Sequence, residues 1–228
     1  MTLPPAGYNA ASTIMHEAQG AALLVLGLNE AYAAHTPGGR IRFASPLTFL
    51  LSGVVVLLTM LNFLGGWNVA NTLLSLQLNR GFYIFISFAC FYASAGLSQL
   101  TFLYTEERTR GWHYLFLFFL AVIGFLYFGI SQKVSPGAAV EVAAYHSAFG
   151  FTLIAAVSFK FLHDFRPRRV FNLVWIVFLL ISSFQLLTYR EVEGAFDLDT
   201  VNLQTSPQIY PPAAAAKSAN KDVKTTHP

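Results

Sequence analysis

Hydrophobic residues run along this chain in long blocks, and most polar residues fall between the blocks. Six blocks stand out, at residues 14–34, 46–64, 82–104, 112–130, 140–163 and 170–189. Each has about the 20 predominantly apolar residues that a helix needs to cross a hydrocarbon slab roughly 30 Å thick. None alternates strictly with a period of two, which argues against a β-barrel. A helix satisfies its own backbone hydrogen bonds where lipid offers no partners. The pattern therefore predicts an all-α, polytopic membrane protein, a bundle of six transmembrane helices.

The breaks agree with the blocks. "HTPGGR" separates segments one and two, "LGGWN" follows segment two, and "SQKVSPGAA" separates segments four and five. Gly and Pro clusters of this kind mark turns. "HDFRPRR" separates segments five and six. Short connections predict antiparallel neighbours, and the longer stretch 65–80 has room for a short interfacial helix. Three regions follow: an N-terminal segment, 1–13; the six-helix domain, 14–189; and a tail, 190–228. The tail begins acidic ("REVEGAFDLD") and becomes rich in Ala, Lys and Pro. Such a segment buries too little apolar surface to fold alone, so disorder, or order only against a partner, is expected.

Basic residues orient the bundle. One side carries Arg40, Arg42, Arg108, Arg110, Arg166, Arg168 and Arg169; the other carries Arg80, Lys133 and Arg190. Basic residues prefer the cytoplasmic side, so both termini are expected to be extracytoplasmic. Trp67, Trp112, Tyr104 and Tyr189 fall at expected interfaces, as belt aromatics do. The start of the chain lacks the basic n-region of a cleavable signal peptide, and its apolar stretch carries His16 and Glu17.

Composition sharpens this picture. Apolar residues make up 55% of the 228, charged residues only 11%, and 22 residues are Phe. A soluble domain would be nearer one quarter charged. The net charge of +3 follows from topology and gives no reason to expect nucleic acid as a partner. The expected partners are the lipid bilayer and other membrane subunits. A single cysteine, Cys90, excludes an intrachain disulfide, and its place in segment three predicts a buried, apolar-like residue. The chain has no Gly-rich phosphate loop, no HExxH and no GxSxG, which argues against a hydrolase or a nucleotide-driven pump.

Segment one is the polar exception, with His16, Glu17, Gln19, Asn29 and Glu30. At about 100° per residue, His16, Gly20, Leu23, Gly27, Glu30 and Ala34 lie within about 40° of one line. Small residues on a line let helices approach closely in lipid. Glu17 falls off that line, near the outer surface. Segment five repeats part of the pattern: "HEAQG" at 16–20 and "HSAFG" at 146–150 share HxxxG. Fourteen residues after His16 comes Glu30, and fourteen after His146 comes Lys160. Both offsets span about 21 Å of helix. If the histidines share a depth, so do the two charges. An unpaired charge at mid-membrane costs roughly 2.5–3.5 kcal/mol, so segments one and five are expected to be neighbours with Glu30 and Lys160 as an ion pair. The plain alternative is that Glu30 reaches headgroups while Lys160 snorkels.

His16 and His146 are then candidates for axial ligands of a b-type haem, with Gly20 and Gly150 letting the porphyrin lie against backbone. A metal or quinone contact, or a simple interhelical hydrogen bond, would use the same side chains. His35, His113 and His163 form a second set at the inner face. Interface histidines are ordinary, so that set is weaker. The haem expectation conflicts with the seam, because close helix contact leaves no room for a porphyrin. Gln99 shares segment three with Ala89, Ala93 and Gly96, a second small-residue line that reads as helix glue. Three function classes remain: a haem-bearing electron-transfer subunit of a membrane assembly; a structural or partner-binding subunit without chemistry; and a small proton-coupled transporter using Glu30 and Lys160.

Overall fold

The computed structural model describes residues 5–34, 36, 40–78, 82–106, 108–130, 135, 137–192 and 195. Among these the regular structure is helical: α1 (Pro5–Ala33), a 3-10 turn (Arg40–Phe43), α2 (Ala44–Gly65), α3 (Val69–Leu78), α4 (Tyr83–Tyr104), α5 (Arg110–Tyr127), α6 (Ala139–Phe165) and α7 (Arg169–Thr188). Five helices are long and apolar enough to cross a membrane: α2 with its preceding 3-10 turn, α4, α5, α6 and α7. At 29 residues α1 is long enough, but the polar residues that set segment one apart keep it out of that group. It also begins well before residue 14. Pro5 opens it, with a fixed φ suited to a first helical position.

The breaks fall where Gly and Pro punctuate the sequence. The polypeptide leaves α2 through Gly66 and Trp67, both left-handed, at φ 55° and 66°. Their N–H groups reach back to the carbonyls of Asn62 and Leu61, closing the helix end as left-handed caps do. The short α3 occupies the stretch expected to hold an extra helix and packs on α2.

The other helices close into a ring in the order α1, α2, α4, α5, α6, α7 and back to α1. Segments one and five, expected to be neighbours, meet through their side chains rather than by close backbone approach. These are α1 and α6, and α7 stands between them. The reason lies in the small residues. A Cβ on Gly20 would meet Leu187 at 2.9 Å, and one on Gly27 would meet Leu180 at 2.9 Å, so the glycine face of α1 receives α7. A Cβ on Gly150 would sit 2.7 Å from the Gly124 carbonyl oxygen, so the glycine of the second HxxxG receives α5. Gly53 and Gly96 bring α2 and α4 together in the same way.

The ring is apolar outside and mixed inside. Leu51, Val54, Phe118, Phe125, Phe151, Leu173 and Phe184 are exposed on its outer surface. Leu23, Leu26, Phe49, Tyr92, Leu120, Leu153, Trp175 and Leu179 fill the interior. His16, Gln19, Asn29, His146, Ser182 and Ser183 are also buried. Broad apolar outer faces around buried polar groups suit a hydrocarbon surround. Cys90 departs from expectation: it is exposed on α4, on the outward face, because Ala89 and Ala93 take the side toward α2. The first tail residues also depart from the expected disorder. Ala195 is buried, and its carbonyl accepts from the Ser135 N–H at 2.9 Å. The rest of the tail lies outside the described residues.

These contacts predict a graded glycine series. Gly53→Ala, Gly96→Ala and Gly150→Ala each press a methyl on neighbouring backbone, costing about 1–3 kcal/mol. Thermal unfolding in detergent should show each melting several degrees below the parent. Gly111→Ala meets nothing within 4 Å and should melt at or above it. Equal effects at all four positions would contradict the packing.

Candidate functional site

Two polar clusters lie inside the ring, both anchored on α1. The inner one begins at Glu30. On α1 the glycines fall about 20° and 40° to one side of the His16 direction, and Glu30 about 40° to the other. The glycines can thus face α7 while Glu30 crosses the interior toward α6. Lys160 Nζ of α6 lies 2.9 Å from Glu30 Oε2. Trp175 of α7 donates its indole N–H to the same oxygen at 3.0 Å, and the ammonium stands 5.8 Å from the Trp175 ring centre. One carboxylate oxygen thus joins three helices. Lys160 and Glu30 are mostly buried, at 14% and 25% side-chain exposure, so the pair is shielded from the screening that makes surface ion pairs weak.

This group borders a half-open cavity of about 560 Å³. Its charged lining is Glu30, Arg42, Arg110, Lys160 and Asp164, with His113 and His163. Three formal positive charges thus face two negative ones before any histidine is protonated. His113 Nε2 is 2.8 Å from Asp164 Oδ2. His163 donates from Nδ1 to the Arg168 carbonyl at 3.1 Å. The two inner-face histidines therefore have separate partners and do not form a paired ligand set; His35 lies outside the described residues. Asn29 donates to the Ile41 carbonyl at 3.1 Å, tying the end of α1 to the 3-10 turn. Ser45 donates to Gln99 at 2.7 Å, so Gln99 joins α4 to α2 at the same end.

The outer cluster holds the other histidines. His16 Nε2 and His146 Nε2 are 3.3 Å apart. The Tyr189 ring packs on both, with centroids 4.6 Å from His16 and 5.0 Å from His146. Phe149 and Tyr127 close the sides of His146. Ser12 donates its hydroxyl to Glu191, and Tyr189 donates to the same carboxylate at 2.9 Å. Tyr127 donates to Gln19 at 2.6 Å. Glu17 lies outside the cluster, on the surface, 3.6 Å from Arg190.

A porphyrin does not fit this arrangement. Iron held by two imidazoles at about 2 Å each needs roughly 4 Å between the nitrogens, and a slot the width of the macrocycle. The nitrogens here are closer, aromatic rings pack around them, and Gly20 and Gly150 already receive α7 and α5. The residues that sequence reasoning missed are Trp175, Asp164 as the partner of His113, and Ser12 with Glu191. Trp175 carried a usable signal, as a polar-edged aromatic inside an apolar span. Glu191 carried none, because it follows the last span and reads as tail.

Between the clusters lies an apolar layer that includes Leu23, Leu26, Leu153 and Leu179. From Gln19 to Glu30 the distance along α1 is about 16 Å. No family model, no curated protein and no solved structure matches this chain.

The shared oxygen predicts non-additive energetics. Glu30→Gln leaves Lys160 without its carboxylate, and Lys160→Met leaves Glu30 without its cation. Each should cost roughly 3 kcal/mol. The double variant removes both charges and should cost less than the sum of the singles, with a coupling of about 1 kcal/mol or more. Denaturation of the four proteins in one detergent measures it. Strictly additive losses would mean that the pair contributes nothing.

Proposed function

We propose that the chain is a six-span integral membrane protein, with both termini extracytoplasmic, that binds a small organic anion in the inner cavity and carries it together with a proton. The carrying observation is the mostly buried Lys160–Glu30–Trp175 group beside a 560 Å³ cavity with an excess of positive charge. The arginine-rich lining supports an opening toward the cytoplasm. The size suits a small metabolite, since ligand pockets run from about 300 to 1,000 Å³.

The chemistry is competitive. A carboxylate or phosphate entering the cavity competes with Glu30 for the Lys160 ammonium and the Trp175 N–H. A displaced Glu30 carboxylate, held away from water, is costly as an anion and favours its neutral form. Anion and proton then bind together, and the loaded site keeps the net charge of the empty one. That neutrality is what allows a loaded site to pass an apolar layer. The polar exception in α1 supports its place as the sixth span, because every buried polar side chain it presents meets a partner inside the ring.

The haem-bearing electron-transfer reading would require α1 and α6 to part around His16 and His146. A purely structural subunit accounts for the apolar outer faces, yet leaves the cavity and its charges without a role. Larger assembly is compatible with the transport reading, since the same outer faces can meet lipid or another subunit.

Two measurements test the proposal. A thermal-shift panel of small carboxylates and phosphate esters should contain a member that raises the melting temperature by several degrees at saturating concentration. Lys160→Met should abolish the shift. In proteoliposomes holding a pH-sensitive dye, that anion should drive proton movement that Glu30→Gln abolishes. A panel without any stabilising anion, or flux that survives Glu30→Gln, would contradict the reading.

A further inference from the structure

The outer cluster raises a question of proton accounting. A neutral imidazole has one N–H and one bare nitrogen. His16 Nδ1 lies 2.8 Å from the Ser12 carbonyl oxygen, and His146 Nδ1 lies 2.9 Å from the Val142 carbonyl oxygen. A carbonyl only accepts, so each Nδ1 carries the hydrogen. The Ser12 hydroxyl is 3.2 Å from His16 Nδ1, but it donates to Glu191. It therefore does not change which atom of His16 is protonated. With both Nδ1 atoms committed, two neutral rings would aim bare lone pairs at each other across 3.3 Å.

The surroundings hold the rings in that pose. His16, His146 and Ser12 are at least nine-tenths buried, and both imidazoles pack against Tyr189. The Glu191 carboxylate accepts from Ser12 and Tyr189, one hydroxyl on each oxygen. Its negative charge is joined to His16 through Ser12. From α6, Glu141 and Tyr145 face Tyr189. From α5, Tyr127 faces His146 and donates to Gln19. On the rim Glu17 faces Arg190.

We propose that His16 and His146 form a proton-binding site, in which the two Nε2 atoms hold one proton between them and Glu191 supplies the counter-charge through Ser12. One proton turns the lone-pair clash into an N–H···N hydrogen bond and gives the pair a single positive charge. With the Glu191 carboxylate the cluster then sums to zero, the condition a buried polar group tends toward. The proton fits without moving either ring, whereas a metal ion would need the nitrogens farther apart. The site lies at the opposite end of α1 from the inner cavity, beyond the apolar layer. It stands on its own geometry and does not depend on the transport reading.

The test is a pH titration of the full chain, labelled with 15N-histidine and held in lipid nanodiscs, by nuclear magnetic resonance. His16→Gln and His146→Gln assign the two signals among the six histidines. The wild-type rings should titrate together at one midpoint, taking up one proton per pair. Below that midpoint both Nε2 signals should sit between the neutral and cationic positions. Glu191→Gln removes the counter-charge and should lower the midpoint by about one pH unit or more. Two independent midpoints with one proton per ring would overturn the proposal. So would rings that stay neutral until the protein unfolds, or a midpoint indifferent to Glu191→Gln. The wild-type titration decides the matter even if a variant fails to fold.

Discussion

Inside hydrocarbon a polar side chain has few partners except another polar side chain. That constraint organises this molecule around α1. Ser12, His16, Gln19, Asn29 and Glu30 all turn inward, and each meets a group on a different part of the chain: Glu191, His146, Tyr127, the Ile41 carbonyl, and Lys160 with Trp175. None of these contacts is replaceable by lipid. Together they fix the rotation of α1 about its axis and its depth relative to α6. The matched spacing of fourteen residues in two helices is what lets both ends register at once.

The glycines determine which helices touch. They carry no chemistry in this structure, yet they resolve the conflict between a tight seam and a pair of facing histidines. Gly20 and Gly27 receive α7, and Gly150 receives α5. The faces beside them stay free to send His16, Glu30, His146 and Lys160 across the interior. α1 and α6 are thus coupled by side chains rather than by backbone approach, with α7 as the wall between them. This leaves room at the inner end for the cavity, which Trp175, Arg42 and Asn172 help to line.

Much of this was legible in the sequence. Hydropathy blocks and Gly/Pro breaks located the helices, and the repeated HxxxG with its charge fourteen residues on brought His16 near His146 and Glu30 near Lys160. The role of α7 was not legible, because a line of small residues reports that something packs there without naming what. The direction of Cys90 was hidden for the same reason. Its neighbours Ala89 and Ala93 decide which face of α4 turns inward, and that choice belongs to the partner Gly53 on α2. Glu191 was invisible because its importance comes from where α7 ends, and composition assigned it to the tail. Even α1 is ambiguous by hydropathy alone: the polar residues that tie it into the ring are the ones that lower its mean hydropathy.

On our proposal the polar chamber inside the apolar ring opens on the arginine-rich side. Site-directed thiol labelling tests it most directly. With the exposed Cys90 replaced by alanine, Asn172→Cys puts one thiol on the cavity wall. A membrane-impermeant maleimide should label it in inverted vesicles and leave it unlabelled in intact cells. Labelling from outside intact cells, or none from either side in the folded protein, would contradict the account.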